Sequence, residues 1–292
     1  MYFEKRWFQY VVLLSLALIW GSSFILMKIG LMSFSSEQVA ALRIVLAALV
    51  LVPFAFKSFK SLRKQDIKSL LIVGFIGSFI PAFLFTKAET HIDSALAGML
   101  NSLTPVFTLI IGVLFYEIKF KWWQALGLLI GLFGAFVLIN TGHSLSFANI
   151  NYFALLVIVA TVCYSVNVNE VKARLSHLNG IEITSLSFMI AGPIAFIYLL
   201  TTDFTPVFQN PDWFLHFSAI AVLGIIGTAL ALLFMNQLIR FVTPVFASTV
   251  TYIIPIFAIF WGIVAGENIS TYHITGMAII LFGIALVNKK DK

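Results

Sequence analysis

The sequence predicts an all-α membrane protein with ten transmembrane helices arranged as two inverted five-helix repeats. Three observations predict it. The 292 residues are 61% hydrophobic and only 10% charged, with a mean hydropathy of +1.03. The apolar residues fall into runs long enough to cross about 30 Å of hydrocarbon as helices. The second half of the chain echoes the first in the same order.

A disordered chain is excluded because disorder needs low hydrophobicity and high charge. A water-soluble domain would have to expose Leu, Ile, Phe and Val in patches larger than water tolerates. The ten spans are Phe8–Met27, Val39–Phe56, Ser69–Ala88, Ser94–Tyr116, Trp122–Asn140, Tyr152–Val171, Ile181–Thr201, Leu215–Ile239, Pro244–Gly266 and Thr271–Val287. None alternates in polarity as barrel strands do. Lys5 and Arg6 before an apolar run resemble a secretory signal. The run from Trp7 to Met27 is too long for one and lacks a small-residue cleavage site, so it reads as the first span.

Charge placement orients the chain. Lys5 and Arg6, the 57–68 cluster (Lys57, Lys60, Arg63, Lys64, Lys68), Lys119 and Lys121, Lys172 and Arg174, Arg240, and the tail (Lys289, Lys290, Lys292) all fall on one side of a ten-span chain. Lys28 and Lys87 lie opposite, and Arg43 falls within a span. The positive-inside rule puts the first group, and with it both termini, in the cytoplasm. The pI of about 9.4 follows from this bias, and no basic face for nucleic acid is formed. The lone Cys163 carries no redox information.

At an offset of 150, Gly74, Ile76 and Gly77 match Gly224, Ile226 and Gly227. At the same offset Ala97, Pro105, Phe107, Gly112 and Glu117 match Ala247, Pro255, Phe257, Gly262 and Glu267. One residue closer, Gly127, Ile130, Leu132, Phe133 and Gly134 match Gly276, Ile279, Leu281, Phe282 and Gly283. Trp20 and Lys28 align more weakly with Tyr164 and Lys172. The repeats are residues 1–145 and 146–292, and five spans each, an odd number, makes their orientations opposite. Inverted repeats are a device of secondary transporters, whose halves pack in two near-equivalent ways around a midplane site.

With these motifs in place the chain resembles the EamA-type branch of the drug/metabolite transporter superfamily. The resemblance rests on W-G-S-S-F at Trp20–Phe24, A-L-R at Ala41–Arg43, Pro105, Glu117, and the glycine series Gly127, Gly131 and Gly134. Pro255, Glu267 and Gly283 repeat it in the second half. It implies export or exchange of small metabolites, often amino acids, through a cavity lined by spans one, three, four, six, eight and nine, with five and ten peripheral.

The residues supply candidates for that cavity. Asn101, Thr104 and Thr108 share one face of span four, and Pro105 leaves the Asn101 carbonyl without its helical donor. Pro255 acts alike in span nine near Thr251 and Tyr252. Trp20 and Ser23 share a face of span one, and Tyr164 and Asn167 one of span six. Singly, such groups also serve as polar glue between helices. As a set they are the candidate substrate site.

Arg43, Lys87 and Glu89 are the charge-pair or coupling candidates. The cost of a central arginine favours Arg43 snorkelling outward to Glu37 or Glu89; the functional alternative is an anchor for a substrate carboxylate. Glu89 is either a rim ion pair or the group that binds a coupling proton. Glu117 and Glu267 read as structural anchors to the next helix, Glu117 through Lys121. Gly127, Gly131 and Gly134 suit close packing, within the chain or as a homodimer face.

No HExxH, GxSxG, P-loop or CxxC occurs, and His91, His143, His177, His216 and His273 are scattered. The expectation is a non-enzymatic secondary transporter of the plasma (inner) membrane, needing no cofactor and no metal. Its partners are a small-molecule substrate and the lipid bilayer, with a proton as candidate coupling ion and no nucleic acid. The rival within transport is a sugar-phosphate or nucleotide-sugar carrier, which needs several cavity cations. A lipid-modifying enzyme and a channel are the rivals outside it.

Overall fold

The computed structural model describes residues 2–139 and 151–287. The end of the fifth expected span at Asn140, His143, the boundary between the two repeats, and Lys289, Lys290 and Lys292 lie outside the described residues. Among the described residues the chain forms helices and no strand. Its long helices are α1 (Arg6–Gly30), α2 (Ser36–Ser58), α3 (Asp66–Ala88), α4 (Ser94–Phe115), α5 (Trp122–Ile139), α6 (Tyr152–Arg174), α7 (Gly180–Leu199), α8 (Trp213–Phe241), α9 (Pro244–Val264) and α10 (Thr271–Val287). Among the described residues eight are long and apolar enough to cross a membrane, and α5 and α10 are shorter apolar helices.

Local chemistry sets the starts. Ser35 with Gln38 and Asn179 with Glu182 form reciprocal capping boxes at α2 and α7. Pro244 opens α9 where its missing N–H costs nothing. The interiors depart from regularity at matching places. Phe75–Phe79 in α3 and Ile225–Leu230 in α8, 150 residues apart, are π-helical. The Thr228 hydroxyl donates to the Leu223 carbonyl at 3.0 Å and satisfies part of the widened ladder. Helix α4 breaks after Asn101 and resumes at Thr104. The carbonyl that Pro105 frees is not left bare: the Thr104 hydroxyl donates to it at 2.7 Å.

Glycines allow the closest approaches. A side chain on Gly74 would come within 2.7 Å of the Ser187 carbonyl of α7, and one on Gly224 within 2.9 Å of the Arg43 carbonyl of α2. Helices α5 and α10 pack along each other through Gly127, Gly131, Gly134, Gly276 and Gly283. A side chain at Gly283 would lie 2.5 Å from the Gly127 carbonyl. The glycine series therefore serves packing inside the chain. Other close pairs include α2 with α7, α1 with α8 and α9, α4 with α9, and α6 with α3 and α4.

Candidate functional site

Helices α1, α2, α3, α4, α6, α8 and α9 surround a cavity of about 100 Å³, room for several waters. Trp20, Ser23, Asn101, Thr104, Tyr164, Asn167 and Thr251 all line it. Tyr252 does not; it is half-buried against the core. Thr108 is also absent and ties α4 to α6 through Ser165 at 3.3 Å.

Several polar groups here are committed to the protein. The Trp20 indole N–H donates to the Gly227 carbonyl at 2.9 Å, bridging α1 to the π-helix of α8. Ser23 donates to Ile19, and Ser165 donates to the Thr104 carbonyl at 2.9 Å. Others are not committed. The Asn167 side-chain oxygen is buried without a hydrogen-bond partner among the described residues. A buried amide oxygen in this state marks either water or a ligand donor. Apolar walls complete the space: Phe24, Met27, Ile44, Phe85, Leu232 and Met235.

Arg43 corrects the sequence expectation. Its side chain does not snorkel to Glu37 or Glu89. The residue is 9% exposed and lines the cavity, where Nε and Nη2 donate to the Thr228 hydroxyl at 3.3 and 3.2 Å and Nη1 approaches the Met27 sulfur at 3.5 Å. Among the described residues no carboxylate lies within ion-pair distance of it. A hydroxyl and a thioether are weak partners for a buried guanidinium, which has five donors and a fixed charge.

Glu89 is not a rim ion pair. It is 4% exposed, and neither carboxyl oxygen has a hydrogen-bond partner among the described residues. Burial pushes its carboxyl well above the ordinary range; nearby Lys28 opposes this, Glu267 adds to it, and Arg43 opposes it. Lys87 is exposed and pairs with Glu37 at 3.4 Å.

The two acids that end α4 and α9 also differ from expectation. Glu267 anchors to α1 and α4 and not to the next helix. Lys28 Nζ donates to its Oε1 at 2.7 Å, and the Ser94 and Ala95 amides at the start of α4 donate to its two oxygens at 2.9 and 3.0 Å. Burial raises the Glu267 carboxyl, but the Lys28 bond and the two amides outweigh it and hold it below the ordinary range. Glu117 is exposed, makes no ion pair among the described residues, and sits at φ +56°. Lys121 lies instead over the Trp123 ring, 4.9 Å from its centroid.

Sequence reasoning missed the π-helices as part of the site. Gly77, Ser78, Gly227 and Thr228 all line the cavity. The repeated Gly-x-Ile-Gly was the available signal, since its second glycine lies where α6 or α1 comes close. A side chain on Gly77 would collide with Asn167, and one on Gly227 would come 2.9 Å from the Ser23 hydroxyl.

A model of the EamA-like transporter family matches two stretches of the chain, residues 7–140 and 151–289. The chain belongs to the EamA-like transporter family. It is a multi-pass membrane protein, and its relatives are transporters. It is 26% identical to the uncharacterized inner membrane transporter YedA of Escherichia coli (strain K12), over 94% of this chain and 89% of that one. An uncharacterized transporter of Archaeoglobus fulgidus is 25% identical, over 98% of this chain and 99% of its own. A probable terminal-alkyne amino-acid exporter of Streptantibioticus cattleyicolor is 22% identical, over 93% and 90%. One crystal structure superposes with a TM-score of 0.69 at 16% identity over 97% of both chains, a likeness of fold.

Proposed function

We propose that this family member is a secondary transporter that exports or exchanges a small amphiphilic metabolite bearing a carboxylate, of amino-acid type, by alternating access. The observation that carries the reading is Arg43: a fixed positive charge facing a cavity with apolar walls, with no carboxylate among the described residues within ion-pair distance. A substrate carboxylate completes that charge with bidentate geometry. The orphan Asn167 oxygen accepts from the substrate ammonium, with Asn101 and Tyr164 beside it. Phe24, Phe85 and Met235 take the apolar side chain. Trp20, Ser23, Thr104 and Thr251 shape the remaining wall.

The architecture we infer is ten spans in two inverted halves, residues 1–145 and 146–292, in the inner membrane with both termini cytoplasmic. Reciprocal contacts support it. Gly77 approaches Asn167 as Gly227 approaches Ser23, and Gly74 approaches Ser187 as Gly224 approaches Arg43. Ser23 and Arg43 precede Asn167 and Ser187 by the same 144 residues that separate Trp20 from Tyr164. The double match to one family model supports duplication as well. Two like halves around one wet cavity offer two packings, each open to one side.

One cavity arginine favours a monoanion over a sugar phosphate, which needs several cations. The test is counterflow in proteoliposomes, with leucine, phenylalanine and glucose 6-phosphate as probes. The amino acids should exchange saturably and the sugar phosphate should not. Saturable exchange of glucose 6-phosphate alone would overturn the reading.

A further inference from the structure

Where the end of α1, the turn after α9 and the α3–α4 connector meet, three carboxylates lie around one lysine. Glu267 and Asp93 hold Lys28 at 2.7 and 3.5 Å. Glu89 holds nothing, with both oxygens buried and unpartnered among the described residues. The charged and titratable groups around it are Lys28 from α1, Arg43 from α2, Glu267 after α9, His91 and Asp93 from its own connector, and His273 from α10.

The charges balance in one protonation state. With Glu89 neutral, the two cations near it, Lys28 and Arg43, equal in number the two carboxylates that hold Lys28, Asp93 and Glu267. Ionising Glu89 adds a third negative charge to a buried position that offers it no donor. A buried ion without partners is not tolerated in place. An ionised Glu89 therefore draws Lys28 from Glu267 or moves into water. Drawing Lys28 away breaks its bond to Glu267, the contact that ties the turn after α9 to α1.

We propose that Glu89 is a proton-binding site of this transporter, and that loss of its proton releases the Lys28–Glu267 latch at this end of the bundle. The proton passes from a carboxyl oxygen of Glu89 to water, leaving a carboxylate, and returns by the same route. A polar cavity lined by Lys28, His91, Asp93, Asn151 and His273 adjoins Glu89 and supplies that route. The proposal builds on the transport reading, since a latch opened by proton loss couples a proton to alternating access.

Two measurements on the full chain in liposomes test it, and neither uses a substrate. Infrared difference spectra across a pH step should contain the carbonyl band of a buried carboxylic acid. That band should vanish in Glu89→Gln and persist in Asp93→Asn. The latch is read by alkylation of Leu96→Cys in a Cys163→Ser background, because Leu96 lines the same cavity as Glu89. Its rate should rise with pH about tenfold per unit more than in the same background carrying Glu89→Gln, the factor by which an acid's ionised fraction grows below its midpoint. A band unaffected by Glu89→Gln, or identical alkylation profiles with and without Glu89, overturns the proposal. Failure of amino-acid counterflow overturns the transport reading instead, so the two failures are distinguishable.

Discussion

The turns that end α4 and α9 begin from equivalent glycines, Gly112 and Gly262, and diverge by one residue. After α9 the Gly262 carbonyl accepts the Glu267 amide at 2.9 Å, and Gly266 takes the left-handed conformation at φ +81°. Glu267 then folds back over Gly262, where a side chain would lie 2.5 Å from its Oε2. After α4 the Gly112 carbonyl accepts from Tyr116 and again from Ile118, so the left-handed residue is Glu117 itself. Its carboxylate is carried outward. One residue of register thus decides whether the same acid is a three-way ligand or a surface charge. The end of the bundle at Glu117 uses a different acid: Glu170 is buried and accepts from Ser69 and Tyr116, with Arg174 at 3.4 Å.

Removing the acids separates the two turns most. Glu267→Ala leaves Lys28 with Asp93 alone and two α4 amides without an acceptor. It should cost about 3 kcal/mol, read as a lower thermal unfolding temperature in detergent. Glu117→Ala should change stability by less than about 0.5 kcal/mol. Equal losses would remove the distinction drawn between the turns.

Backbone substitution sharpens the same contrast at a smaller scale. Gly266→Ala forces a side chain into the left-handed region and should cost about 1–2 kcal/mol. Glu117→Gly relieves that conformation and should not destabilise the chain.

Acidity gives the most graded comparison. Glu267 is held below its ordinary range, so its contribution is complete above the unfolded value and is lost as pH falls through the folded one. Glu89 is pushed up by burial, so its contribution is present in acid and is lost as pH rises through the raised value. Unfolding temperatures across pH should therefore fall at both extremes. Glu267→Gln should flatten the acid limb and Glu89→Gln the alkaline limb.

Much of the fold was legible because each span is a long apolar run, and the connectors carry the turn and capping residues. The cavity wall on α1, α4 and α6 was legible because helical spacing puts Trp20 with Ser23, and Tyr164 with Asn167, on one face. The partners of charges were not. Arg43 finds Thr228 across 185 residues, and no local pattern distinguishes that from snorkelling. The π-helices widen a ladder without changing composition, and the one-residue shift between the two closing turns is a matter of backbone geometry. Tyr252 does not line the cavity although its neighbour Thr251 does, because one residue along a helix turns the side chain by about 100°.

The most direct test of the account compares leucine with leucinamide in counterflow, in the native chain and in Arg43→Gln. The native chain should exchange leucine saturably and leucinamide poorly, and the variant should lose the preference with the leucine flux. Equal flux of the two compounds through the native chain, or an undiminished preference in the variant, would contradict a cavity built around an unpaired arginine.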